Sequence, residues 1–235
     1  PSVRAAVMIT SDKCYENREW AWGYRENEAM GGHDPYASSK GCAELVSAAY
    51  RRSFLADARV AVATARAGNV IGGGDWAADR LVPDLMRAFG GGQPVILRHP
   101  EAVRPWQHVL EPLAGYLLLA ERLSGSEDGA SYANGWNFGP ADSDARTVLD
   151  IVSTAARHWG EGAAWQIDAE AQQVHEAQTL KLDSSLARQR LGWQSRLNLD
   201  QALAWTVEWY QAQLSGQDML ALSTAQIERY RELPS

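Results

Sequence analysis

This sequence is poor in the features that mark several large classes of protein. Only two cysteines occur in 235 residues, Cys14 and Cys42, and they form neither a C-x-x-C pair nor a His/Cys ligand spacing. A disulfide framework or a metal centre is therefore not expected, and a reduced, cytoplasmic setting is the simplest one. No apolar run approaches the roughly 20 residues of a membrane-spanning helix; the longest stretches, near 60–70 and 113–120, are short and interrupted. The opening "PSVRAAVMIT" has one Arg and too few apolar residues for a secretory signal. Basic residues are not in excess: the formal net charge of -7 argues against a nucleic-acid or anionic-membrane surface. It leaves room for a local basic pocket holding a small phosphate ligand. Repeats and low-complexity segments are absent as well.

What remains is the pattern of an ordinary globular chain, 46% hydrophobic and 22% charged. Ten tryptophans are many for this length; most are expected to fill cores. Residues 3–10 form a short apolar run rich in Val and Ala, read as a buried strand that ends in Thr10-Ser11-Asp12-Lys13. A loop follows to Pro35, which opens a helix because its missing N–H is not needed at the first helical position. Helical spacing over 36–55 puts Ala43, Val46 and Tyr50 on one face. A second strand is expected over 59–65, a Gly-rich loop over 68–76, and a short strand near 95–98. Helices are expected over 81–89 and 110–123, and a polar surface loop over 124–134. Further on come strands at 135–139 and 165–167, helices at 147–158, 184–191 and 199–213, and a helical tail packed on the body or on a partner.

Alternating strands and helices point to an α/β fold with a mainly parallel sheet. Such a sheet, when it binds a dinucleotide, normally begins with a strand, a G-x-G-x-x-G turn and a helix. No such turn precedes Ser11, and Gly72-Gly73-Gly74 stands behind the second strand without opening an obvious helix. The chain reads as though it enters a sheet partway through.

Two polar clusters carry the chemistry. Tyr36 and Lys40 are spaced i, i+4, which puts them on one helix face. A free phenol titrates near 10 and is a poor base at neutral pH, but a neighbouring ammonium favours the phenolate. Such a pair can draw a proton from a sugar hydroxyl. Alone, Y-x-x-x-K is common on solvated helix faces, and Ser-Asp-Lys is an ordinary strand-end turn. Their context is more telling: Pro35 opens the helix, small residues Ala37, Ser38 and Ser39 fill the gap, and a strand ending in hydroxyls lies upstream.

"TSDK" followed by "PYASSK" resembles the short-chain dehydrogenase/reductase superfamily in its extended sugar-nucleotide branch. Further segments, "ARAGNVIGGGDWAADRLVP", "RPWQHVLEPLAGYLLLAERL", "WNFGP" and "HEAQTLKLD", sharpen this to a resemblance to the CDP-glucose 4,6-dehydratase family over most of 7–210. The resemblance implies the C-terminal portion of a Rossmann-type doubly wound parallel sheet with a smaller mixed substrate-binding domain. Residues 1–75 would supply the second half of the NAD-binding domain. Residues 76–235 would be mainly substrate-binding, with segments near 104–140 returning to the sheet.

It further implies a hydro-lyase that uses NAD and a CDP-sugar: oxidation at C4, loss of water across C5 and C6, reduction at C6. Ser11 would bond the reacting sugar oxygen, with Thr10 the weaker candidate. Asp12 would protonate the departing hydroxyl, and Lys13, kept neutral by burial, would take the C5 proton. Lys13 stands where related dTDP-glucose dehydratases have Glu, which fits the CDP-glucose branch. Tyr36, Lys40 and Ala67 would border the cofactor. Arg104 would hold phosphate through its guanidinium. Asn69, Leu81, Val82, Asn137 and His175 would border the nucleotide sugar.

The resemblance also implies a homodimer or homotetramer, commonly built through the Tyr/Lys helix, and a product feeding dideoxysugar and polysaccharide synthesis. Two alternatives stay open. Another sugar-nucleotide epimerase or decarboxylase would use the Tyr/Lys pair without the acid and base of Asp12-Lys13. A non-catalytic remnant would bind NAD weakly or not at all and would expose a sheet edge and apolar faces.

Overall fold

The computed structural model describes residues 2–55, 60–125, 129–168 and 179–234. They divide into two compact units. One is drawn from 1–68, 111–140 and 179–195, the other from 69–110, 141–178 and 196–235. The chain thus passes between units five times, at 68/69, 110/111, 140/141, 178/179 and 195/196.

The first unit is built on strands β1 (Ala5–Ile9), β2 (Ala61–Ala67) and β7 (Gly135–Phe138), parallel and in the order β1-β2-β7. Val7 faces Ala63 across the first pair, and Ala65 faces Trp136 across the second. Side chains alternate between the two faces of a strand, and the sequence "AVATARA" of β2 exploits this. Ala63 and Ala65 pack with Trp136 and Phe138 of β7 and with Leu119 and Leu123 of α3 (Leu110–Ser124). Gly115 lets α3 lie close to the sheet, since a Cβ there would stand 2.4 Å from the Phe138 ring. Thr64, Arg66 and Asn137 occupy the opposite face, and helix α1 (Pro35–Ser53) contacts that face through Glu44.

Asp34 starts α1 by accepting a hydrogen bond from Ala37 N at 2.9 Å, with Pro35 in the first turn. The buried residues of α1 are Ala37, Gly41 and Glu44. Val46 and Tyr50, which periodicity groups with Ala43 as one apolar face, are more than half exposed. The sheet face beneath the helix is polar, so a carboxylate fits there and the apolar stripe turns outward.

The second unit is mostly helical. α2 (Leu81–Gly90), α4 (Val148–Trp159) and α6 (Leu199–Leu214) enclose a core of Leu85, Met86, Phe89, Ile151, Val152 and Leu203. Capping boxes start α4 (Thr147 with Asp150) and α6 (Asn198 with Gln201). Three short strand pairs surround this core: β3 (Val70–Ile71) with β6 (Gln107–His108), β4 (Val95–Leu97) with β9 (Trp165–Ile167), and β5 (Val103–Pro105) with β8 (Ala145–Thr147). Only the last is antiparallel. The C-terminal helix α7 (Met219–Glu232) packs on α6, with Arg229 over the Trp205 ring at 3.8 Å and Gln226 bonded to the Trp205 carbonyl. In the first unit, α5 (Ser185–Leu191) follows the strand-like crossing of Leu182 by Tyr24 and ends at Gly192 in the left-handed region, φ 71°.

Candidate active site

β1 ends at Ile9, and the chain turns through a single 3-10 turn at Asp12–Cys14. Ser11 organises that turn: its hydroxyl accepts from Lys13 N at 3.2 Å and donates to Asp12 Oδ1 at 3.0 Å. Ser11 and Asp12 are buried, whereas Lys13 is half-buried. Gly68, just past the end of β2, makes room for the carboxylate, since a Cβ there would lie 2.8 Å from Asp12 Oδ2. Ala67 closes β2 in register with Phe138.

Tyr36 and Lys40 share a face of α1, with the Lys40 ammonium 5.5 Å from the centre of the Tyr36 ring. Tyr36 is 55% exposed. The helix and the turn meet at Gly41, where a Cβ would stand 3.3 Å from the Cys14 carbonyl oxygen. Hence one unit brings together Ser11, Asp12, Lys13, Tyr36, Lys40 and Ala67.

Asn137 lies in the same unit, but its amide is engaged inside the fold. The side chain is fully buried; Nδ2 donates to the carbonyls of Tyr24 and Asp183, and Oδ1 accepts from the Tyr15 hydroxyl at 2.8 Å. It fastens β7 to the loop after β1. The hydroxyl of Thr10, the weaker candidate for the sugar oxygen, donates to Glu44 Oε1.

The second unit carries Asn69, Leu81, Val82 and Arg104. Asn69 precedes β3 and accepts from Gln107 N at 3.0 Å through its carbonyl. Leu81 is half-buried at the start of α2. Val82 is a core residue, 2% exposed, and packs in the core of that unit. Arg104 lies on β5 directly opposite Arg146 of β8. His175 lies outside the described residues.

Sequence reasoning passes over a buried polar network beneath the turn. Glu44 accepts from Thr10, from Thr64 Oγ1 at 2.7 Å and from Arg66 Nη2 at 2.8 Å. Arg66 also donates to the Tyr15 hydroxyl and to the Glu26 carbonyl. Burial pushes the Glu44 carboxyl up, but the Arg66 guanidinium and the two threonine hydroxyls outweigh it and hold the group below its ordinary value. Burial raises Tyr15 despite Arg66, and raises Glu26 despite the backbone N–H groups bonded to its carboxylate. The Cys14 thiol is pushed up to about 12 by burial, which leaves it protonated and unreactive. Among the described residues, no group of three or more His, Cys, Asp or Glu could hold a metal ion, and no helix is long and apolar enough to cross a membrane.

Parallel strands with helices on both faces, and a Tyr/Lys helix beside a strand-end turn, define an α/β chain of the Rossmann type. The family model described as GDP-mannose 4,6 dehydratase matches residues 5–206, and the chain belongs to that family. It is 54% identical to CDP-glucose 4,6-dehydratase of Salmonella typhimurium, over 97% of this chain and 64% of that protein. It is 27% identical to dTDP-glucose 4,6-dehydratase of Streptomyces griseus, over 88% of this chain and 59% of the relative. The chain therefore spans about two thirds or less of these relatives' length. In fold it is similar to dTDP-glucose 4,6-dehydratase of Bacillus anthracis in complex with NAD, with a TM-score of 0.72 and 18% identity over 92% of this chain and 64% of that one. It is also similar to UDP-glucose 4-epimerase of Brucella ovis in complex with NAD, with a TM-score of 0.74 and 20% identity over 88% and 65%.

Proposed function

We propose that this chain carries the proton-handling residues of a hydro-lyase that converts CDP-D-glucose to CDP-4-dehydro-6-deoxy-D-glucose. The observation that carries this reading is the packing of the Ser11-Asp12-Lys13 turn against the helix of Tyr36 and Lys40 at Gly41. The 54% identity to a CDP-glucose 4,6-dehydratase supports the same substrate.

A phenol open to solvent with an ammonium beside it fits the nicotinamide-ribose end of NAD. Tyr36 and Lys40 would hold that end, with Ala67 bordering it. Bound NAD would supply the oxidation at C4 and the reduction at C6. Tyr36 Oη takes the proton of the C4 hydroxyl, with Lys40 stabilising the phenolate. The Ser11 hydroxyl bonds the same sugar oxygen. Lys13 Nζ, acting as the neutral amine, removes the C5 proton, made acidic by the C4 ketone, and Asp12, acting as the carboxylic acid, gives its proton to the C6 hydroxyl as it leaves as water. Arg104 contacts the diphosphate, and Asn69 and Leu81 border the nucleotide. Two copies pair through α1, whose Leu45, Val46, Tyr50 and Phe54 are each more than half exposed. The Asp12-Lys13 pair favours a dehydratase over an epimerase, which needs no acid and base at C5 and C6.

Incubation with CDP-glucose and NAD, followed by product analysis, tests the reading. The expected product is a 4-keto-6-deoxy sugar nucleotide that absorbs in alkali; CDP-galactose would mark an epimerase instead. In Lys13→Ala, solvent deuterium should no longer enter C5. Undiminished exchange removes Lys13 from the scheme.

A further inference from the structure

Glu44 lies one helical turn beyond Lys40 and two beyond Tyr36, on the same face of α1. Glu44 is 3% exposed, and its carboxylate has three donors, two from β2 and one from the residue just past β1. Oε1 takes the hydroxyl of Thr10, the residue immediately before Ser11. Oε2 takes Thr64 and Arg66 from β2. The same helix meets the turn at Gly41, against the Cys14 carbonyl. A steric stop at Gly41 and a polar fastening at Glu44 therefore both lock α1 against the segment from Thr10 to Cys14. The Tyr36 phenol, largely open to solvent, takes its position from the seating of its helix.

We infer that Glu44 is a positioning residue, which sets the height of the Tyr36–Lys40 pair above the Ser11-Asp12-Lys13 turn by joining their two elements through one carboxylate. The inference rests on the dehydratase reading for its catalytic consequence, but not for its geometry. A carboxylate is required because three donors converge on it, and a glutamate because its length spans the gap from helix to strand. Aspartate keeps the charge and shortens the arm by one methylene, so the helix must slide toward the sheet or release Thr10. Thr10→Val removes the link to the turn and a longer hydrogen bond to the Ala65 carbonyl, and leaves the buried Glu44–Arg66 pair intact, so it is the variant expected to fold in every case.

The chain supplies its own probe. Cys42 is an exposed thiol on α1, and Cys14 is buried. A nitroxide on Cys42 reads the distance from helix to turn through the broadening of the Ser11 and Lys13 amide signals. The expected result is altered broadening in Glu44→Asp and Thr10→Val, with unchanged signals from Leu119 and Trp136 on the opposite sheet face. Unchanged broadening in folded Thr10→Val overturns the inference. Where the parent chain dehydrates CDP-glucose, both variants should lose kcat with KM preserved, since a displacement of about 1 Å can cost on the order of 100-fold. Altered broadening with full kcat also overturns the positioning role. A parent chain without dehydratase activity sinks the functional reading alone, because the broadening still decides the geometry.

Discussion

Gly68 presents a hydrogen where any other residue would present a carbon, and the Asp12 carboxylate occupies the space. A Cβ would meet Asp12 Oδ2 at 2.8 Å and Cγ at 3.5 Å. The atom to be displaced is the free-swinging end of a short side chain, so Gly68→Ala should leave the fold standing and move the carboxylate. The expected outcome is a melting temperature within about 3 °C of the parent, equivalent to under 1 kcal/mol, and a loss of the proposed dehydratase turnover. Parallel thermal melts and product assays check it, and full turnover in Gly68→Ala would remove Asp12 from the acid role. The Ser11-Asp12-Lys13 turn and the Tyr36/Lys40 spacing are legible in the sequence because each group is local: the partners lie within four residues of one another. The contacts of Glu44, Arg66, Tyr15 and Asn137 are not, because their partners are 20 to 122 residues away. A lone glutamate in a helix gives no sign that it will be buried. That sign appears only once β2 is known to turn Thr64 and Arg66 toward it.

At the scale of elements, long periodic segments are readable, and of the short ones only some, β4, β9 and α5 among them. α1, α2, α3, α4 and α6 fall within a residue or two of the helices expected from spacing and capping. Strands of two or three residues, such as β3, β5 and β8, contain too few alternations to register as a period. The stripe of Ala43, Val46 and Tyr50 on α1 is exposed for a related reason: a hydrophobic stripe locates the core only when the surface opposite it is apolar. β6 illustrates how much a two-residue strand can hold. Its His108 is 2% exposed, accepts from Leu110 N through Nδ1 at 3.3 Å and sits edge-on to Trp205 of α6, 5.8 Å between ring centres. Burial, aided by the nearby Arg229 guanidinium, lowers it to about 4 from an ordinary 6.5. The folded protein then binds fewer protons than the unfolded chain between these values. The stabilisation is complete above pH 6.5 and declines as pH falls through about 4, by roughly 3 kcal/mol. Denaturant titrations from pH 7 to pH 4 should show this loss in the parent and a flatter profile in His108→Asn. Parallel profiles would show that His108 is not the group responsible.

For the whole molecule, the sheet of the first unit makes NAD binding the decisive measurement. Among the described residues, β1 forms one edge of this sheet, and Met8 and Ile9 are half exposed. The Tyr36–Lys40 helix rests on one face of that sheet, so calorimetric titration with NAD should give a heat that is lost in Lys40→Ala; equal heats in the parent and the variant would remove that helix from the cofactor site. Three stretches far apart in sequence join in each unit. That interleaving has a practical consequence. A protease nick at one crossing leaves four covalent ties between the units, and no single pair of cuts releases either as a continuous peptide. Gene shuffling cannot exchange one unit for another by a single junction, so whatever each contributes has had to be altered in place, side chain by side chain.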